Sequence, residues 1–174
     1  MAPFGDSRRR TTLDLGVLVA FAAAFGFVEA AVVFDLRHVI GSPRSYSLGH
    51  YHTLLNLGFI TFVSSVHSLL PPALGRVEVA RESATMVMLL GVAWLAGTTT
   101  RQRIGAYLVA FSVWDLTYYL FLRIIDAWPT SLFTRDVFFL VPVPWIGPVV
   151  TPLVIFLVVL AIGIRLYRAP VRRE

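Results

Sequence analysis

The sequence predicts an all-α membrane protein: one domain over residues 1–174, built as a bundle of five transmembrane helices with a Pro-rich re-entrant or interfacial segment before the last helix. Three observations carry that reading. Hydrophobic residues are 57% of the chain and charged ones only 14%, against about 45–50% and about 25% in soluble domains. Mean hydropathy is +0.75. The apolar residues also run in blocks instead of alternating, and crossing about 30 Å of hydrocarbon takes about 20 of them in a row.

The first span is expected at about 13–36. Its small residues (Ala22, Ala23, Gly26, Ala30) allow helix backbones to approach closely. Arginines precede it and an alanine run lies inside it, as in a signal peptide. The apolar stretch nevertheless continues past the alanines to Phe34, which favours a retained span. RHVIGSPRSYSLG then reads as a loop, from its Gly, Ser and Pro breakers. The second span, about 50–70, is expected to stop at Pro71-Pro72, because a proline cannot continue a helix. The third, about 77–97, has polar first turns (RVEVARE) and is followed by a tight TTTRQR connection. The fourth covers about 104–125 and the fifth about 148–166.

Between the last two spans, 128–148 holds Pro142, Pro144 and Pro148, which forbid a regular helix. Irregular backbone at membrane depth must be buried in protein or face water. Trp128 and Trp145 are its expected interfacial anchors. If this segment also crossed, there would be six spans. Five spans divide the 15 arginines 7 to 8 between the two sides, whereas six divide them 11 to 4.

The net charge of +5 rests on arginine alone, and no lysine or cysteine occurs. Disulfides, thiolate metal sites and cysteine nucleophiles are therefore excluded. Basic residues at the two ends (Arg8, Arg9, Arg10, Arg165, Arg168, Arg172, Arg173) suit anionic lipid headgroups better than nucleic acid. Walker, dinucleotide, Gly-x-Ser-x-Gly and His-Glu-x-x-His motifs are all missing.

A charge at the bilayer centre costs on the order of 2.5–3.5 kcal/mol, so ionisable residues inside spans are the candidates for function. Asp115, in FSVWDLTYYLFLR, lies deepest, roughly 17 Å from one surface at 1.5 Å per residue. With Ser112, Tyr119 and Arg123 it follows i, i+3, i+4 spacing and forms one polar stripe. Glu29 of the first span is expected to meet one end of the stripe, with Asn56 beside it. Glu82 and His67, placed toward the opposite surface, are expected to meet the other. Asp35, Arg37 and His38 read as headgroup-level residues, and Met86 and Met88 as packing.

Two carboxylates sharing a low-dielectric site cannot both ionise, so one keeps its proton. The expected catalytic set is therefore Asp115, Glu29, Glu82, Tyr119 and Arg123. It would handle protons or a lipid-soluble substrate as a small membrane enzyme or carrier. A metal reading would recruit His52, His67, Glu82 and Asp115 to a divalent ion such as zinc, iron or manganese. His52 and His67 are about 22 Å apart along one helix, so they cannot share an ion. No Glu-x-x-His occurs within a span. The rival reading is a non-catalytic subunit of a larger membrane complex, or a homo-oligomer, whose polar residues pair at helix interfaces.

The blocks RESATMVMLLGVAWLAG, VWDLTYYLFLR and WPTSLFTRDVFFLVPVPWIGPV resemble a family of small bacterial multi-span integral membrane proteins with no assigned activity. The resemblance covers about 76–152 and implies a multi-span bacterial membrane protein; the expected location is the bacterial cytoplasmic membrane. Glu82, Asp115 and Asp136 lie within the resembling blocks.

Overall fold

The computed structural model describes residues 4–39, 52–64 and 71–169. The described residues form four long helices and a small antiparallel sheet. α1 spans Phe4–Val39, α2 Pro72–Ala96, α3 Thr100–Asp126 and α4 Val150–Arg168. Each contains a stretch long and apolar enough to cross a membrane: Leu13–Val39, Pro72–Ala96, Thr100–Asp126 and Val150–Arg168. Among the described residues there are thus four candidate spans, where the sequence predicted five or six.

The discrepancy lies in the expected second span. Where described, 50–70 is not a helix but a hairpin of β1 (Thr53–Asn56) and β2 (Thr61–Val63). A local signal explains the turn. Asn56 accepts from the Gly58 N–H at 2.8 Å, Gly58 takes a φ of 83°, and Leu57 N–H donates to Ile60 O at 2.8 Å. A positive φ is readily available only to glycine, and Ile60, Thr61, Phe62 and Val63 are strand formers. Periodicity alone does not separate a short apolar strand from a buried helix segment, and that ambiguity produced the error.

The Pro-rich segment is non-helical, as expected, but it is ordered as β3 (Arg135–Phe139) and β4 (Trp145–Pro148). The sheet order is β1-β2-β4-β3, with every pair antiparallel. Phe62 stands opposite Trp145, and Val137 opposite Ile146. The hairpin and the Pro-rich segment thus satisfy each other's backbone groups, the requirement for any non-helical chain at membrane depth. Trp128 and Trp145 are not interfacial anchors. Trp128 is buried, and Trp145 packs edge-on against Phe62 and Phe139.

Local chemistry sets the helix ends. Pro72 opens α2 from Pro71, because a proline at the first helical position loses no hydrogen bond. The two prolines therefore begin a helix instead of ending one. α3 begins with a capping box between Thr99 and Gln102, and Arg103 closes the preceding turn by donating to Gly97 O at 3.0 Å.

α3 is central. Gly26 of α1 faces Thr117 and the Trp114 carbonyl, and Gly105 of α3 faces Gly163 and the Tyr167 backbone of α4. At these crossings only glycine allows the approach. Tyr167 also donates to Ala96 O at 3.0 Å, so the end of α4 lies beside the end of α2 and the start of α3. At the other end, Arg37 of α1 reaches Asp126 of α3 at 3.4 Å. α1 and α3 therefore run parallel, with α2 and α4 antiparallel to them. The surface bearing the ends of α1 and α3 is called side B below, and the opposite one side A. The sheet lies in the half toward side B, beneath a ring cluster of Phe111, Trp114, Phe139 and Phe156.

Candidate functional site

Removing one span reverses the direction of every later helix and redraws the depth map. From side B, Glu29 is ten residues up α1, Glu82 ten into α2 and Asp115 eleven up α3. At 1.5 Å per residue all three lie roughly 15–17 Å deep. Glu82 is therefore level with Asp115 and not toward the opposite surface. The three acids line one cavity of about 60 Å3, with Arg81, Tyr118 and Phe139 also in its wall. That is room for several waters at roughly 10–15 Å3 each.

The acids are held differently. Arg81 bonds to Glu29 at 2.5 Å and to Glu78, one turn earlier on α2, at 2.6 Å. Glu29 is thus tied to α2 by an ion pair and not to Asn56, which sits in the exposed hairpin turn. Glu82 accepts from the backbone N–H groups of Leu140 at 2.8 Å and Val141 at 3.1 Å. It closes the end of β3 with its carboxylate and anchors the Pro-rich segment to α2. Asp115 has neither kind of support. Its Oδ2 is buried and has no hydrogen-bond partner among the described residues, and the charges it faces are the acids Asp136 and Glu29. Four carboxyl groups (Glu29, Glu78, Glu82, Asp115) and one guanidinium (Arg81) line the cavity.

The polar stripe of α3 holds for three of its four residues. Ser112, Asp115 and Tyr119 are buried on one face. Arg123 leaves the stripe: it is exposed and donates to the Ala127 carbonyl. The reason is local, because α3 ends at Asp126 with Ala127 left-handed at φ 51°, which leaves a terminal carbonyl for a cation to cap. Tyr119 does not bond Asp115. It donates to Asp136 of β3 at 3.0 Å.

Asp136 belongs to a second, adjoining network. Its Oδ1 lies 3.8 Å from Arg37, and Arg37 also stacks over the Trp128 ring at 3.8 Å. Burial pushes the Asp136 carboxyl up from its ordinary 3.8 to about 6, although Arg37, the Tyr119 hydroxyl and the Val137 N–H all favour the ionised form. Arg37, expected at headgroup level, is 5% exposed because it joins α1, α3 and β3.

The metal reading is not supported. Among the described residues no three His, Asp or Glu side chains come together to hold an ion. His52 is exposed at the start of the hairpin, away from Glu82 and Asp115, and His67 lies outside the described residues. Sequence reasoning missed Arg81, Glu78, Arg37, Asp126 and Asp136 as parts of these networks. Glu78 and Arg81 share a helix face at i, i+3 spacing, a signal present in RVEVARE.

No protein-family model, no curated protein and no solved structure matches the chain. The functional reading therefore rests on the geometry.

Proposed function

We propose that the chain is a small membrane carrier or membrane enzyme whose working group is Asp115, which takes up and releases a proton inside the cavity shared with Glu29 and Glu82. The observation that carries this reading is the bare Asp115 Oδ2. A buried carboxylate oxygen with no donor among the described residues, facing other acids, is too costly to leave charged, so a proton is its natural partner. An acid that gains and loses a proton within the membrane is the general acid or relay that proton-coupled chemistry requires. Glu82 and Arg81 have different parts. They fix the re-entrant strand and α2 around Asp115 and keep the cavity open.

The proposal places the protein in a bacterial cytoplasmic membrane with side A facing the cytoplasm. With four spans, seven of the described arginines fall on side A and four on side B, with Arg81 inside the cavity, and the arginine-rich side is the cytoplasmic one. The second reading, a structural subunit, is favoured by the Arg81 and Arg37 networks, which tie helices together without needing any substrate.

Infrared spectroscopy of the reconstituted protein tests the proposal directly. The carbonyl stretch of a buried, protonated carboxylic acid is expected in the wild type and lost in Asp115→Asn. Dye-loaded proteoliposomes under an imposed potential should acidify faster with wild type than with Asp115→Asn. Equal rates together with an unchanged carbonyl band favour the structural subunit.

A further inference from the structure

A second cavity, of about 470 Å3, opens on the outside of the bundle where α3 and α4 meet the segment after Trp128. Ligand pockets typically take roughly 300–1,000 Å3. Its walls are apolar, from Leu116 and Leu120 of α3 and Leu153 of α4. Its far end is polar, with Arg123, Thr130 and Ser131. Arg123 lies three residues before the end of α3 on side B, and Leu116 two turns deeper, roughly 10 Å toward the bilayer middle. The groove therefore runs along the membrane normal with its cation at headgroup level.

Arg123 makes this more than an apolar seam. It is exposed, it spends one nitrogen on the Ala127 carbonyl, and no carboxylate lies within ion-pair distance of it among the described residues. A guanidinium with free donors beside two hydroxyl-bearing residues is matched by a phosphodiester, and leucine walls below it are matched by an acyl chain. We infer that this groove binds one phospholipid with an anionic headgroup, its phosphate on Arg123 and one acyl chain along Leu116, Leu120 and Leu153. Charge complementarity selects the headgroup, and the leucine walls select the chain. This inference does not depend on the proton chemistry of Asp115, which the groove does not contain.

Native mass spectrometry of the full chain, released from nanodiscs of equal phosphatidylglycerol and phosphatidylcholine, tests it. The phosphodiester is common to both lipids, but the choline cation of phosphatidylcholine offsets it beside Arg123, so the wild type is expected to retain one phosphatidylglycerol with a roughly tenfold preference, about 1.4 kcal/mol. Arg123→Gln should lose the preference, and Leu120→Trp, which fills the groove without changing charge, should lose retention of either lipid. Arg76→Gln, an exposed arginine on the same side but outside the groove, should behave as wild type. Equal retention of the two lipids by the wild type overturns the inference without reference to any variant. A preference that survives Arg123→Gln, or falls equally in Arg76→Gln, overturns it as well.

Discussion

Asp136 offers the most quantitative test of the side-B network, because its acidity has a value and a physical origin. The carboxyl is ordinarily 3.8 and burial raises it to about 6. Below pH 3.8 the group is protonated whether the chain is folded or not, and its contribution to stability is fully present. Between 3.8 and about 6 the folded protein binds the proton and the unfolded chain has released it, so stability falls as pH rises. Above about 6 the contribution is lost. At 1.36 kcal/mol per pH unit, that window is worth about 3 kcal/mol. Asp136→Asn keeps an oxygen for the Tyr119 hydroxyl and removes the titration. Guanidinium unfolding in nonionic micelles, followed by tryptophan fluorescence at pH 4 and pH 7, measures the difference. Other buried acids contribute to the raw profile, so the decisive quantity is wild type minus Asp136→Asn, about 2.4 kcal/mol more pH-dependent in the wild type between these two pH values, because the unfolded carboxyl is already more than half ionised at pH 4. A difference near zero, or one that rises with pH, would refute the placement of Asp136 in a desolvated site.

Two further outcomes follow from the same structure. Arg81→Gln should cost about 3–5 kcal/mol, the penalty for stranding buried partners of an ion pair, and adding Glu29→Gln should restore part of it; unfolding midpoints of the single and double variants check the coupling. Gly26→Ala would place a Cβ 2.2 Å from Thr117 Oγ1 and 2.7 Å from the Trp114 carbonyl. Because the second atom is backbone, α1 must move off α3, with an expected loss of about 1–3 kcal/mol seen as a lower midpoint; a partial gain on adding Thr117→Ala would separate the two clashes.

Some of this was legible in the residue order. Long apolar blocks require helices in lipid, so α1, α3 and α4 were found close to their bounds, and three prolines barred a helix from 128–148. The burial of Ser112, Asp115 and Tyr119 on one face follows from a 3.6-residue repeat, which needs no partner to be read. Local patterns failed where an apolar run was short. Residues 53–63 are as hydrophobic as a span, and only pairing with β4, more than eighty positions away in the chain, makes them a sheet.

That one element controlled the rest. Composition and periodicity by themselves determined that the chain is mostly helical, with helices apolar enough to span a membrane and an acid in the middle of one, because fitness for lipid is a property of each segment separately. Tertiary structure alone decided that the described residues hold four helices long enough to span, hence that Glu29, Glu82 and Asp115 share a level. It also decided which acids are paired. Arg81 takes Glu29 and Glu78, the Leu140 and Val141 amides take Glu82, and Asp115 is left bare. Pairing depends on distances between helices, and no spacing along one helix encodes them.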